Sequence, residues 1–264
     1  MRRSIFDIEI RIDIDYEFAA LINILNEPRT LYYNNCYYSV YEFLNSEIFP
    51  IWKYKGMFID LDDFCDRLEI DFKSHICNEE KFLYLLELLI NLWPIAEDTF
   101  DFNYKRYFSK RVIEYMRMNL PLIIEKMNYK IDHKNDKYVL IKRDSDVDSV
   151  LDIIVDDCSE LLLDYNDIRN NSVESKKSIL KKIDLYIEKD KKIYQSIDND
   201  TYNSIQNIVN NMGINHPIKK EPYISISQHE LIEWYDKCFK LMIHLIRKKE
   251  INEINKKIKG FSNN

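Results

Sequence analysis

One histidine in this chain has neighbours suited to acid–base or phosphate chemistry. His216 lies near the end of an amide-rich run, residues 207–217, in which Gly213 is suited to the C-terminus of a helix. An imidazole in a polar cleft serves as a general acid or base near neutral pH. A histidine just past a helix end also donates to free carbonyl groups, which needs no catalysis. Both interpretations stay open, and the candidate binding residues beside it are Asn210, Asn211, Asn215, Lys219 and Lys220.

Other catalytic and metal-binding patterns are missing from the sequence. The chain has 3 glycines in total, so a glycine-rich loop for a nucleotide phosphate is nearly excluded. It contains no G-x-S-x-G motif and no H-E-x-x-H or other paired-histidine spacing. The 5 cysteines are widely spaced and odd in number, which is typical of buried thiols rather than of disulfides or a zinc site. We therefore predict no cofactor and no metal.

The net charge of −7 is distributed unevenly along the chain. Residues 1–171 contain 21 Lys and Arg against 33 Asp and Glu, which gives −12, and residues 172–264 contain 17 against 12, which gives +5. An acidic chain is unsuited to indiscriminate nucleic-acid binding, because each phosphate contact needs a local cation. The basic C-terminal third leaves room for a local RNA or DNA surface, although lysines that solvate helix faces are the commoner explanation.

The sequence also argues against a membrane protein. No segment approaches the roughly 18 to 20 uninterrupted apolar residues that a transmembrane helix needs. The most apolar stretch, residues 82–95, is shorter than that and contains Glu87 and Asn91. The N-terminus alternates acids with isoleucines and lacks the apolar core of a signal peptide. We expect a cytoplasmic protein without membrane contact.

The N-terminal part of the chain predicts helices with a little β-structure. Residues 5–15 alternate isoleucine with charge, as an edge strand with one solvated face does. Residues 129–141 predict a β-hairpin that turns at Asn135 and Asp136. Residues 31–41 are rich in tyrosine, and we interpret them as a helix face and loop in an aromatic core, with a partner-binding patch as the alternative. Between residues 16 and 126 the periodicity is helical, with breaks predicted at Pro28, Pro50, Pro94 and Pro121.

The C-terminal part predicts an α-bundle. A linker at residues 143–146 suggests an N-terminal helical domain, 1–143, with the edge strand and hairpin, and a C-terminal helical bundle, 144–264. Helices are predicted over 147–165, 173–193 and 201–210. A capping box of Ser227 and Glu230 starts a last helix, whose predicted buried stripe is Leu231, Trp234, Tyr235, Cys238, Leu241, Met242 and Leu245. The predicted fold class is mainly α, a multi-helix bundle with a small β-hairpin or sheet as the minor component.

Three segments of the C-terminal part resemble a known family. They are residues 162–191, with the runs Asp-Tyr-Asn and Tyr-Ile-Glu; residues 208–216, which end in His216; and residues 230–236, which read Glu-Leu-Ile-Glu-Trp-Tyr-Asp. Together they look like a group of bacterial proteins that are similar to C-terminal helical modules of abortive-infection, anti-phage proteins of the HEPN superfamily. The order of the segments and the last run are the most telling features.

This resemblance implies a dimeric α-bundle, whose active members cut RNA without a metal by means of an arginine and a histidine. His216 matches the histidine, which acts as acid or base. The usual catalytic arginine is absent, because Val209, Asn210 and Asn211 occupy its expected positions and Asn215 stands directly before the histidine. An amide hydrogen-bonds to phosphate but brings no charge to the transition state.

Three functional hypotheses follow from the sequence. The first is a defence- or mobile-element-associated binding or regulatory protein with a degenerate HEPN-like module, which forms a homodimer and binds RNA through its basic third, or a protein partner. The second is a metal-independent ribonuclease that uses His216, and the third is a protein-interaction scaffold. The ribonuclease requires His216, an asparagine and a cation to meet in an open cleft at a symmetric interface. The binding module predicts a buried His216, and the scaffold predicts an exposed aromatic patch within residues 32–41.

Overall fold

The computed structural model describes residues 12–72, 76–100, 108–154, 157–218 and 226–262. By its internal contacts the chain divides into two compact units, unit 1 (Met1–Leu140) and unit 2 (Ile141–Asn264). The described residues are mainly helical and include two small antiparallel two-stranded sheets, which confirms the predicted fold class. Most of the predicted edge strand, residues 5–11, lies outside the described residues.

Helices make up most of unit 1, and polar N-cap side chains stabilise the first turns of several of them. Its described helices are α1 (Ile14–Asn26), α2 (Val40–Phe43), α3 (Leu61–Arg67), α4 (Glu79–Thr99), α5 (Lys110–Glu114) and α6 (Leu120–Lys126). Two π-helical turns, Leu44–Ile48 and Tyr115–Asn119, continue α2 and join α5 to α6. A first-turn backbone N–H donates to the side chain of each of the N-cap residues Asp13, Ser39, Asp60, Asn78 and Ser109.

The first residues of α1 were predicted to be the last residues of a strand. Ile14 and Asp15 lie in the first turn of α1, so the strand prediction is wrong for these residues. The carboxylate of Asp13 accepts the backbone N–H of Tyr16 at 3.1 Å, a cap that stabilises a helix by about 1 kcal/mol. Helical spacing of the apolar residues then takes over, and α1 buries Phe18, Leu21, Ile22, Ile24 and Leu25.

The helix breaks predicted at Pro94 and Pro121 were wrong. Pro94 lies inside α4, where a proline lacks the N–H that would reach the carbonyl of Ile90 and costs about 3 kcal/mol. Burial of the neighbouring Trp93 and Ala96 helps to offset this cost. Pro121 is the second residue of α6, and the helical conformation continues into it from the π-helical turn Tyr115–Asn119 without a break.

Both described sheets are hairpins with left-handed turn residues. Strands β3 (Tyr129–Lys134) and β4 (Lys137–Lys142) form the predicted hairpin. Its turn residues Asn135 and Asp136 have φ angles of 51° and 61°, the conformation that a two-residue type I′ turn requires. The hairpin prediction is thereby confirmed.

The tyrosine-rich segment forms the other hairpin, so the helix-and-loop interpretation was wrong for residues 31–38, whereas Val40 and Tyr41 lie in α2. Strands β1 (Leu31–Tyr33) and β2 (Cys36–Tyr38) pair antiparallel around Asn34 and Asn35. The ring of Tyr33 packs against core residues Phe43 and Phe100, at centroid distances of 5.4 and 5.1 Å. Two consecutive asparagines decide the outcome, since asparagine tolerates the left-handed region that a tight hairpin turn needs.

Unit 2 is a helical bundle with an aliphatic and tyrosine-rich core. Its helices are α7 (Ser145–Leu151), α8 (Asp157–Tyr165), α9 (Val173–Lys189), α10 (Lys191–Asn211) and α11 (Gln228–Ser262). The innermost side chains, each 0% exposed, include Val150, Cys158, Leu162, Leu180, Ile183, Ile187, Tyr194, Ile205, Val209, Cys238, Met242, Leu245 and Ile246. These residues recur at helical spacing, which is why each helix turns one side towards the others.

Two helix boundaries in unit 2 differ from the prediction. The helix predicted over 147–165 is divided between α7 and α8, and residues 152–154, which follow α7, are not helical. Helix α10 contains a kink at Asp198, whose φ is −157°. The carboxylate of Asp198 accepts the N–H of Thr201 at 2.9 Å, so it caps the second half of α10 near the predicted start of a helix.

Helix α11 follows the predicted capping box. The N–H of Glu230 donates to Oγ of Ser227 at 3.2 Å, and the N–H of Ser227 donates back to the carboxylate of Glu230 at 3.0 Å. The predicted stripe is buried at Tyr235, Cys238, Met242 and Leu245 and half-buried at Leu231 and Leu241. Trp234 is 36% exposed, so its predicted burial was wrong. None of the described helices has the length and apolar character that crossing a bilayer requires.

Candidate functional site

The helix end before His216 is closed by a glycine, as predicted. Gly213 follows α10 with a φ of 79°, a left-handed conformation that favours glycine. The backbone N–H of Asn215 then donates to the carbonyl of Val209 at 3.2 Å. His216 comes directly after this turn, and its side chain is exposed. The buried position that the binding hypothesis gave His216 is therefore not observed.

A buried carboxylate holds the segment that carries His216. Asp184 of α9 is 2% exposed and accepts hydrogen bonds from Nε2 of Gln206 at 2.7 Å and Nδ2 of Asn215 at 2.9 Å. Burial raises the pKa of the Asp184 carboxyl, and the two amide donors oppose this rise. The side-chain amide of Asn215 thus binds a protein carboxylate, whereas the ribonuclease hypothesis assigned it to a phosphate.

The other predicted site residues are dispersed. Asn210 is exposed on the last turn of α10, and Nδ2 of Asn211 donates to the carbonyl of Asn207 at 2.9 Å, within the same helix. Lys219 and Lys220 lie outside the described residues. The described members of the predicted site therefore occupy a helix end and an exposed loop, and they show no convergence on a cation.

Residues 162–191 and 230–236 meet in a polar cluster that sequence reasoning missed. Tyr165 of α8 and Lys176 of α9 donate to the same carboxylate oxygen of Asp236 on α11, at 2.8 and 2.7 Å. Nζ of Lys176 lies 4.3 Å from the ring centroid of Tyr165, whose ring stacks on Phe239 at 3.9 Å. Burial raises the pKa of the Tyr165 hydroxyl, so it stays protonated as a donor. This cluster joins three helices of unit 2.

A second feature that sequence reasoning missed is a row of basic side chains on the outer side of α11. Its members, which we call the α11 cationic face, are all exposed: Lys237, Lys240, His244 and Arg247. Successive members lie three or four residues apart, so they share one side of the helix and extend over about 15 Å. The sequence signal was available, because residues 237–249 contain five Lys and Arg and no Asp or Glu.

The charges of this face have no counter-ions in the described part of the chain. Lys237, Lys240 and Arg247 lie within ion-pair distance of no described carboxylate. The next two lysines, on other sides of α11, are neutralised: Lys248 pairs with Asp198, and Lys249 pairs with Asp190 at 2.9 Å. Ion pairs thus neutralise Lys248 and Lys249, whereas an anion can reach the unneutralised charges of the α11 cationic face.

The exposed indole of Trp234 lies at one end of the α11 cationic face. Nζ of Lys237 is 4.6 Å from its ring centroid, within the range of a cation–π contact. An indole of this kind presents an aromatic surface next to a positive charge. That pair of groups suits a nucleic-acid strand, whose bases stack and whose phosphates need cations.

No three His, Cys, Asp or Glu side chains in the described residues are grouped so that they could hold a metal ion. Comparison with protein-family models, curated proteins and solved structures gives no match.

Proposed function

We propose that unit 2 is a degenerate HEPN-like module of a defence- or mobile-element-associated regulatory protein, and that it binds single-stranded RNA. The observation that carries the proposal is the α11 cationic face, whose exposed charges have no counter-ions among the described residues. Such a row meets the phosphates of a nucleic-acid strand and releases their condensed counterions, which drives binding. RNA is chosen over DNA because the HEPN resemblance favours it.

Trp234 favours a single strand over a duplex. Its ring can stack only on an unpaired base, while the cations that follow track the backbone. We expect Trp234→Ala to weaken binding of a labelled single-stranded RNA about tenfold, within the 1 to 3 kcal/mol that base stacking contributes. Fluorescence anisotropy checks this, with Tyr37→Ala as the matched loss of an exposed aromatic ring in unit 1. Equal loss of affinity in both variants would argue against a stacking role for Trp234.

A metal-independent ribonuclease is the second candidate, because the exposed side chain of His216 is accessible to a substrate. Two observations favour binding without cleavage. The residue before His216 is an asparagine whose amide is bound to Asp184. No arginine occupies the positions that the family pattern requires, so the developing charge of the transition state would lack its usual partner.

Incubation of the full chain with RNA in EDTA separates these two candidates. We expect the wild type and His216→Ala to bind a pool of tRNA and single-stranded RNA equally and to leave it intact. Cleavage by the wild type that disappears in His216→Ala would establish the ribonuclease and contradict the proposal. Cleavage that persists in His216→Ala would point to a co-purified nuclease, which a repeat on protein purified by a second route would remove.

The proposal includes a homodimer, which the HEPN resemblance implies, and the cytoplasmic location that we expect from the sequence. A protein-interaction scaffold is the alternative function that the hairpin β1–β2 supports. Tyr32 and Tyr37 are 45% and 65% exposed on neighbouring strands, with their ring centroids 4.8 Å apart. Exposed aromatic pairs of this kind are enriched where protein partners dock. Retained RNA binding in Tyr37→Ala would show that the two surfaces are separate.

A further inference from the structure

The last turns of α11 expose a row of isoleucines. Ile251, Ile254 and Ile258, which we call the isoleucine stripe, are 43%, 40% and 56% exposed. Lys249 is the last buried residue of α11 among those whose side chains are described, and none of residues 250–259 is buried. This end of the helix therefore extends beyond the core of unit 2. Large apolar side chains that recur along an exposed helix mark an interaction surface.

The isoleucine stripe lies on the outer side of α11. Ile251 follows His244 of the α11 cationic face by seven residues, and seven residues are almost two turns of helix. Ile254 follows Arg247 by the same interval. The stripe thus continues the line of the α11 cationic face, on the side that faces away from the core of unit 2. Burial of the stripe therefore needs a second molecule.

The spacing within the stripe is that of a coiled coil. Its members follow one another at intervals of three and four residues, as the a and d positions of a heptad do. Side chains at these positions insert between those of a second helix that has the same spacing. The partner that fits is thus a helix, and α11 of a second copy has the required spacing.

The charges beside the stripe are complementary to those of a second copy in one orientation. Glu250 and Lys257 are seven residues apart, so they lie on the same flank of the stripe. When two copies pair antiparallel, these flanks face each other, and Glu250 of each copy meets Lys257 of the other. A two-fold axis repeats the pair, so the assembly closes as a dimer.

A parallel pair of helices has no such match. Because the α11 cationic face continues the stripe, parallel pairing would place Lys240 and Arg247 opposite the same residues of the second copy. Like charges in this position disfavour association. Antiparallel pairing directs the two cationic faces towards opposite ends of the helix pair. Charge therefore selects the antiparallel orientation.

We propose that the isoleucine stripe is a self-association surface, on which the end of α11 pairs antiparallel with α11 of a second copy. The proposal assigns a surface to the homodimer of the proposed function and rests on that part of it, independently of RNA binding. Three partly exposed isoleucines per copy bury less than the roughly 800 Å² per partner of a standard interface. The dimer is therefore weak, with a dissociation constant of roughly 0.1 mM.

Sedimentation equilibrium of the full chain, freed of RNA by nuclease treatment, tests this proposal between about 5 and 500 µM protein. We expect a reversible monomer–dimer equilibrium that is at least about tenfold weaker in Ile254→Gln/Ile258→Gln, because apolar contact is lost. Both isoleucines are exposed, so the variant keeps its fold, which circular dichroism checks. Leu185→Gln/Ile193→Gln is the matched control, since it removes exposed apolar side chains from α9 and α10, and should associate like the wild type.

A charge exchange tests the orientation. Lys257→Glu should weaken association about fivefold, because a glutamate then faces Glu250, and Glu250→Lys/Lys257→Glu should restore it to within about twofold of the wild type. No recovery in the double variant would overturn antiparallel pairing.

The outcomes also separate this proposal from the proposed function. A wild type that stays monomeric over the whole range would overturn the proposal and the homodimer, and would leave RNA binding by the α11 cationic face untouched. Equal association of Ile254→Gln/Ile258→Gln and the wild type would keep the homodimer and overturn the isoleucine stripe as its surface.

Discussion

Reversing the charges of Lys240 and Arg247 together should lower the affinity of the full chain for single-stranded RNA by about 100-fold or more at about 0.1 M salt. The double variant Lys240→Glu/Arg247→Glu removes two phosphate contacts and places two negative charges within the same row. At this ionic strength the Debye length is about 10 Å, so the new carboxylates repel phosphates bound to the remaining members of the face. A 100-fold loss corresponds to about 2.7 kcal/mol, which anisotropy titrations resolve easily.

A matched variant distinguishes the α11 cationic face from the general charge of unit 2. Lys181 and Lys182 of α9 are exposed, so Lys181→Glu/Lys182→Glu changes the net charge equally on another helix. We expect this variant to bind RNA within about threefold of the wild type, because only long-range screened interactions change. If both double variants lose affinity equally, RNA binding depends on net charge and the α11 cationic face has no special role.

Asp236→Ala should destabilise unit 2 by about 2 kcal/mol. The substitution leaves the ammonium of Lys176, which is 8% exposed as a residue, without its carboxylate, and leaves the Tyr165 hydroxyl without its acceptor. Removing one partner of a fully buried ion pair costs about 3 to 5 kcal/mol. The side chain of Asp236 is 47% exposed, and solvent screening reduces the expected value.

Urea unfolding followed by circular dichroism measures this change. Glu233→Ala is the control, because it removes an exposed carboxylate from the same helix and should change the free energy of unfolding by less than about 0.5 kcal/mol. Asp236→Asn keeps an acceptor for Tyr165 and should lose less stability than Asp236→Ala. Unfolding curves of Asp236→Ala that match those of Glu233→Ala would show that the cluster contributes nothing to the stability of unit 2.

The helical architecture was predictable because local signals agree with tertiary packing. Ser227 and Glu230 cap α11 as their spacing predicts, and Asn135 and Asp136 turn the second hairpin. Local signals failed where packing or turn chemistry opposed them. Pro94 stays inside α4 because large apolar side chains around it are buried, and Asn34 with Asn35 turns a segment whose tyrosines were interpreted as a helix face.

The candidate site was predictable in part. Sequence reasoning found the glycine-closed helix end before His216, since a left-handed C-terminal residue is a local property. It could not foresee that Asn215 turns to Asp184, because these residues meet only after α9 packs against the segment beyond α10. The cluster of Tyr165, Lys176 and Asp236 is likewise a product of tertiary structure. The α11 cationic face was visible as an acid-free run, but its lack of counter-ions among the described residues required the structure.

The salt dependence of RNA binding tests the central claim most directly. A labelled single-stranded RNA should be titrated with the wild-type chain at several salt concentrations between about 50 and 300 mM. Each phosphate contact to a single strand contributes about 0.7 to the slope of log affinity against log salt concentration, so three or four contacts predict a slope of about −2 to −3. A wild-type slope in this range, together with a shallower slope close to −1 in Lys240→Glu/Arg247→Glu, would support RNA binding by the α11 cationic face. No binding at the lowest salt concentration, or a slope that the double variant leaves unchanged, would contradict it.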